Sequence, residues 1–336
     1  MVHPAIVGAC AHTPGWARRA VSYPQTRKCY NASLTRTEAE VASRPQRPPE
    51  WLRVKVRKGE RGANTRALLA RHRVKTVCSN ALCPNIGECY GAGTATFLLM
   101  GDRCTRGCRF CAVESAPPEP LDPDEPARVA TAAAELALSH VVLTSVTRDD
   151  VPDGGAAHFT RTVRAVRALL PDVTVEVLVP DLRGDMAAVE TVARAGIDVF
   201  GHNLETVPAL YSVVRPGAEY RRSLSVLAHA HAVAPEVPTK SGLMVGLGET
   251  REELLAVMDD LLAVGCRFLT LGQYLRPSAR HLPVERYITP GEFEKLGSEA
   301  RRKGFGFVAS APFVRSSYRA HEALLSRGSG EPTCPR

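Results

Sequence analysis

Six cysteines fall inside one stretch of 34 residues, in two triplets: Cys78, Cys83 and Cys89 spaced CxxxxCxxxxxC, then Cys104, Cys108 and Cys111 spaced CxxxCxxC. Three thiolates hold three irons of a four-iron, four-sulfur cube and leave the fourth iron open, so two triplets imply two incompletely protein-ligated clusters. Structural zinc usually closes with four ligands, commonly from two short CxxC-like pairs, and the spacing here is different. Ten cysteines in 336 residues, six of them motif-spaced, fit a reducing compartment with metal ligation better than a secreted disulfide framework.

The formal charge of +8 is unevenly distributed. Residues 1–75 hold 16 Lys or Arg against 4 acids, and 76–336 hold 27 against 31. The basic excess therefore belongs to the N-terminal part and does not mark the body as nucleic-acid binding. No run of 18 apolar residues occurs, which argues against a membrane span. Residues 1–37 carry five Lys or Arg and no acid, yet Pro4, Pro14 and Pro24 interrupt any amphipathic helix. A disordered extension over 1–47 is expected, with a mitochondrial transit segment as the alternative. Folding is expected to begin near Pro48-Pro49-Glu50-Trp51.

From about residue 95 apolar, strand-like runs alternate with helical patterns, the rhythm of βα units on a parallel sheet. Strands are expected near 95–101, 140–145, 173–178, 197–201, 239–245 and 267–273. Helices are expected over 126–138, 154–169, 185–195, 220–233, 250–264 and 290–303. Six such units fit a partial (β/α)6 barrel of the TIM type better than a doubly wound sheet, although spacing alone does not separate the two. Ligands gather at the C-terminal ends of the strands in either case. The expected organisation is an extension (1–47), a segment carrying the first triplet (48–94), the barrel (95–310) and a C-terminal segment with a flexible tail (311–336).

The second triplet lies in GDRCTRGCRFCAV, just after the first expected strand. There the chain resembles the radical S-adenosylmethionine (SAM) superfamily, in which a CxxxCxxC loop binds a cluster whose open iron takes the amino and carboxylate groups of SAM. Phe110 matches that family's habit of placing a ring beside the cluster. The first triplet, in CSNALCPNIGEC, narrows the resemblance to lipoyl synthases, whose CxxxxCxxxxxC binds an auxiliary cluster. The similarity extends over roughly residues 48–322. It includes TSVTRDDVPDGGA (144–156), HNLETV (202–207), TKSGLMVGLGET (239–250), GQYLRPS (272–278) and Arg315-Ser316-Ser317-Tyr318.

The resemblance implies a sulfurtransferase with two four-iron, four-sulfur clusters and two SAM molecules consumed per lipoyl group. Sulfur enters at carbons 6 and 8 of an octanoyl chain carried on a lysine, and the auxiliary cluster is the donor. Those carbons have no acidic proton and no leaving group, so the cofactor must perform the difficult chemistry while the protein orients it and excludes water. Cys104, Cys108 and Cys111 would hold the SAM-binding cluster. Cys78, Cys83 and Cys89 would hold the auxiliary one, with Ser317 as its fourth ligand and Ser316 as the fallback. Ser145, Glu176, Asn203, Glu205 and Lys240 fall at strand ends and could grip SAM or could cap neighbouring helices. Asp149, Asp150 and Asp153 look partly like helix-start chemistry, and Gly246 and Gly248 like a tight turn or a close approach to ligand. His202 reads as a pocket residue rather than a base. Arg276 and Arg315 could orient SAM or the auxiliary-cluster loop, or form surface ion pairs. Cys266 reads as an ordinary buried thiol, and Cys10, Cys29 and Cys334 match no ligand spacing.

The implied partners are octanoylated lipoyl carrier domains (2-oxoacid dehydrogenase E2 or glycine cleavage H protein), a reductant such as ferredoxin or flavodoxin, and an iron-sulfur cluster carrier. No nucleic acid and no membrane are expected as partners, and the expected location is the cytoplasm. A methylthiotransferase would carry a different auxiliary-cysteine domain and an added RNA-binding module, neither visible here. A cluster-bearing nucleic-acid module would leave the long βα body unexplained.

Overall fold

The computed structural model describes residues 47–53, 60–92, 94–317 and 320. The chain divides into residues 1–47 and 48–336. The expected N-terminal extension, apart from Arg47, lies outside the described residues, as do Cys10, Cys29, Tyr318, Cys334 and the C-terminal tail.

Seven strands form one parallel sheet: β1 (Thr96–Leu99), β4 (His140–Ser145), β5 (Thr174–Leu178), β6 (Val199–Gly201), β7 (Thr239–Val245), β8 (Phe268–Gln273) and β9 (Phe307–Ser310), adjacent in that order. Two short strands, β2 (Arg103–Cys104) and β3 (Glu114–Ser115), pair separately and bracket the second cysteine triplet. Helices follow the strands in alternation: α4 (Glu125–Glu135), α5 (Ala156–Leu169), α6 (Met186–Ala193), α8 (Tyr220–Val233), α9 (Arg251–Ala263) and α10 (Pro290–Lys303). Three helices precede the barrel, α1 (Glu60–Arg71), α2 (Val77–Asn80) and α3 (Ile86–Gly91); α2 holds Cys78, α3 holds Cys89 and Cys83 lies between them, while α7 (Tyr211–Val214) precedes α8. The six expected βα units are present, and β9 is a seventh strand that the sequence reading did not include.

The strands are apolar because a parallel sheet flanked by helices is buried on both faces. Phe97, Leu99, Val141, Leu143, Val175, Val177, Leu269 and Leu271 are all fully buried. Helix starts are chemically marked. Thr250 and Glu253 close a capping box on α9, Thr289 and Glu292 close another on α10, and the Asp185 carboxylate accepts from Ala187 and Ala188 N–H on α6. Among the described residues no helix is long and apolar enough to cross a membrane.

Both ends of the barrel segment lean on the sheet's rim. Lys75 O accepts from Leu98 N–H, and Thr76 bridges Phe97, so the first triplet is laid along β1. The C-terminal segment crosses β8, where the absence of a side chain at Gly272 admits the Val314 carbonyl; a Cβ there would stand 2.1 Å from it. Asn85 Nδ2 donates to the Phe313 carbonyl at 2.7 Å and ties the two segments together. Gly272→Ala should therefore push the C-terminal segment off the rim at a cost of about 1–3 kcal/mol. A lower thermal midpoint and faster proteolysis after residue 310 are the expected readings.

Candidate functional site

The strand ends, the first triplet and the C-terminal segment enclose one cavity of about 500 Å³. Cys78, Cys83 and Cys89 line it, as do Cys104, Cys108, Cys111, Ser316 and Ser317. All seven cysteines in the described residues are free thiols. Among those residues no three His, Cys, Asp or Glu side chains converge as ligands of a single ion. A four-iron cube gives each thiolate its own iron.

Burial pushes the Cys111 thiol up to about 12, and the neighbouring Cys108 and Cys104 add to the effect. Burial also lifts Cys89 to about 12, with Cys78 and Cys83 contributing. Thiols that raise one another in this way become thiolates when a multiply charged cation shares the space, because its charge inverts the local balance. The donor set thus fits two cationic iron-sulfur groups.

Four polar atoms on the cavity wall are buried without a hydrogen-bond partner among the described residues: Ser145 Oγ, His202 Nε2, Asn203 Oδ1 and Arg215 Nε. Such groups are rare unless a ligand or water answers them. His202 donates Nδ1–H to the Val179 carbonyl at 2.9 Å, which leaves Nε2 as a bare acceptor. Burial, helped by Arg215, pulls its pKa down to about 4, so the ring is neutral at physiological pH. Arg215 is only 8% exposed. Its Nη1 donates to the carbonyls of Asn203 and Leu204 and to the Tyr211 hydroxyl. Its charge reaches Cys108 and Glu205. Glu205 has left-handed backbone geometry, φ 67°, held by hydrogen bonds to Gly242 and from Met244 on β7. Strained backbone of this kind concentrates where a side chain must point at a ligand.

Ser145, Asn203 and Glu205 reach the cavity; Glu176 and Lys240 do not line it. Lys240 Nζ instead donates to both Glu176 oxygens at 2.8 and 3.0 Å, with side chains 2% and 1% exposed and His140 Nε2 at 3.8 Å. Lys240 is the second residue of β7 and so belongs to the closed end of the barrel, below the mouth. Burial drives the Glu176 carboxyl up and the Lys240 charge opposes it.

The Asp-rich stretch divides its work. Asp153 caps α5 through Gly155 and Ala157 N–H, Asp150 pairs with Arg148, and Asp149 turns inward to Arg106. Gly246 makes room for the Arg286 carbonyl rather than for a ligand; a Cβ there would lie 2.3 Å from it. Arg276 spends its guanidinium on the His281 and Ala279 carbonyls of its own loop, while Arg315 is half-buried with Cys83 and Glu205 within reach of its charge. Phe110 packs with Val214, Leu247 and Tyr274 beside the second triplet. Cys266 is fully buried. Arg215, Arg106 and Asp181 were not picked out from sequence. For Arg215 the turn signal Arg-Pro-Gly at 215–217 was the available clue.

A family model described as Radical SAM superfamily matches residues 98–261. A lipoyl synthase of Nitrosococcus oceani is 54% identical over 284 residues, which is 84% of this chain and 88% of the relative. One of Trichlorobacter lovleyi is 56% identical over 276 residues, 82% of this chain and 98% of that one. Among solved structures the hydrogenase maturase HydG superposes with a TM-score of 0.52 at 14% identity, covering 79% of this chain and 66% of its own, a likeness of fold.

Removing one partner of the Lys240–Glu176 pair strands a buried charge, so Lys240→Met should cost about 3–5 kcal/mol. Adding Glu176→Leu should recover most of that in urea unfolding. The double variant should also retain SAM in equilibrium dialysis, which it would lose if either side chain held the ligand.

Proposed function

Because the chain belongs to the lipoyl synthase family of radical SAM enzymes, we propose that its two cysteine triplets hold two four-iron clusters facing one another across the single cavity. The family's activity is insertion of two sulfur atoms at carbons 6 and 8 of a protein-bound octanoyl chain, a sulfurtransferase reaction dependent on SAM. The observation that carries the assignment of residues is the shared lining: both triplets and Arg315-Ser316-Ser317 border the same space. When bound there, the clusters and SAM supply an electron, a hydrogen-abstracting radical and the sulfur.

The chain's own residues receive and orient these groups. Cys104, Cys108 and Cys111 hold the SAM-binding cluster, and Arg215 offers a buried positive charge to the SAM carboxylate. Asn203, Glu205 and Ser145 take the remaining polar edges, and His202 Nε2 accepts one donor. Leu98, Val146, Leu178, Met244 and Phe110 form an apolar wall that excludes water from the alkyl chain.

Cys78, Cys83 and Cys89 hold the auxiliary cluster with one hydroxyl of the serine pair. Ser316 Oγ accepts from Asn203 Nδ2 at 2.6 Å, whereas Ser317 has no such partner among the described residues. A donor on the oxygen stabilises an alkoxide, so we place Ser316 ahead of the Ser317 that the resemblance suggested. The domain boundaries at 47/48, 94/95 and 310/311, the carrier domains, ferredoxin or flavodoxin as reductant, a cluster carrier and a cytoplasmic location complete the reading.

Cys104→Ala, Cys108→Ala and Cys111→Ala should each abolish release of 5′-deoxyadenosine. Cys78→Ala, Cys83→Ala and Cys89→Ala should leave SAM cleavage measurable while stopping sulfur transfer. The assay is anaerobic turnover of an octanoylated carrier peptide, read by mass as gain of two sulfurs and loss of two hydrogens; identical behaviour of the two groups would refute the division of labour. Comparing Ser316→Ala with Ser317→Ala in the same assay identifies the ligand: the first should lose sulfur transfer and the second retain it.

A further inference from the structure

The loop that holds the second triplet is pinned by one arginine. Arg106, between Cys104 and Cys108, lines the cavity, and its side chain is 9% exposed. Nε and Nη2 meet the two Asp149 oxygens at 2.7 and 2.9 Å, and Nη1 and Nη2 meet Asp181 at 2.8 and 2.7 Å. Asp149 belongs to the loop after β4, and Asp181, which has no exposure, follows β5. Arg222 on α8 adds a second donor to Asp181 at 3.2 Å. Burial raises the Asp181 pKa, but hydrogen bonds and charge from Arg106 bring it below the ordinary carboxylate value, so the clamp is ionic. One guanidinium therefore fastens the strand-end loops of β1, β4 and β5 together.

Thr105 continues the seam. Its N–H and Oγ1 both donate to the Thr147 carbonyl, at 3.1 and 3.0 Å, and Oγ1 accepts from Asp149 N–H at 3.1 Å. With these staples closed, two backbone donors reach the same sulfur: Arg106 N–H at 3.4 Å and Thr147 N–H at 3.3 Å from Cys104 Sγ. The Thr147 donor comes from a different loop and reaches Cys104 only while the two loops stay in register.

Burying an arginine with two carboxylates is costly and seldom favoured for stability alone. Hydrogen bonds to cluster sulfurs, by contrast, are among the protein's levers on a cluster's reduction potential. We propose that Arg106 is a positioning residue that, with Thr105, holds two N–H donors on Cys104 and thereby raises the reduction potential of the SAM-binding cluster. N–H donors favour the electron-rich reduced state, so loosening them lowers the potential. Lysine keeps the charge but cannot span two carboxylates with a fork, and Thr105→Val removes the hydroxyl staple at nearly constant shape. The inference rests on the cluster assignment made above for Cys104, Cys108 and Cys111.

The test is a potentiometric titration by electron paramagnetic resonance on reconstituted full-length wild type, Arg106→Lys and Thr105→Val, following the signal that changes when SAM is added. Loss of one charge-assisted hydrogen bond should shift the redox equilibrium on the order of tenfold, which for a one-electron couple is about 59 mV. Both variants should become more negative, Arg106→Lys by the larger amount, at unchanged iron content. Midpoints equal to wild type in both variants would overturn the proposal. If Arg106→Lys fails to retain its cluster, Thr105→Val decides alone, and an unshifted midpoint there overturns it. A wild-type protein with no SAM-responsive signal would instead overturn the cluster assignment, and this inference with it, before any variant is compared.

Discussion

Seven strands in parallel register send every strand-to-helix loop to the same side of the sheet. Residues far apart in the chain, such as Cys104, Ser145, Asp181, Asn203 and Gln273, therefore meet at one rim without any dedicated binding domain. The first triplet and the C-terminal segment are outside this repeat and are brought to the same rim by separate means. Thr76 and Lys75 anchor the first to β1, and Gly272 leaves the space in which the second lies. The cavity is thus one wall of barrel and one wall of appended segments, and the chemistry of the family needs both walls to face each other.

Burial governs the charge in the cavity. Burial disfavours the ionised forms of the Cys78, Cys89, Cys108 and Cys111 thiols, and neighbouring thiols add to the effect; Arg215, also in the cavity wall, is itself buried. The protein thus presents sites whose ionisation depends on what is bound. The barrel floor behaves oppositely: Lys240 donates to both Glu176 oxygens, and neither side chain lines the cavity. That contrast between orphaned groups at the mouth and paired groups below separates the functional end of the barrel from the structural one.

The strands and the long helices were legible because two-sided burial makes strands continuous apolar runs and one-sided burial gives helices their period; β4 and β7 have the expected bounds. β9 escaped because it is four residues long, between Gly306 and Pro312, too short for periodicity to speak. The one-turn helices around Cys78 and Cys89 escaped because cysteine spacing, not amphipathicity, dictates their sequence. Lys240, the second residue of β7, does not line the cavity and pairs with Glu176 instead. Arg106 and Asp181 were missed because their pairing spans 75 residues and leaves no local trace. The cysteines stood out by their spacing, and both triplets line the cavity.

The amide of Asn85 reaches the Phe313 carbonyl across 228 positions. Biosynthesis runs from one end, so Cys78, Cys83 and Cys89 leave the ribosome long before the serine pair that shares their cavity has been translated. The wall that contains them can close only when the last barrel strand has been made, which makes completion of this half of the site a terminal event in the protein's maturation.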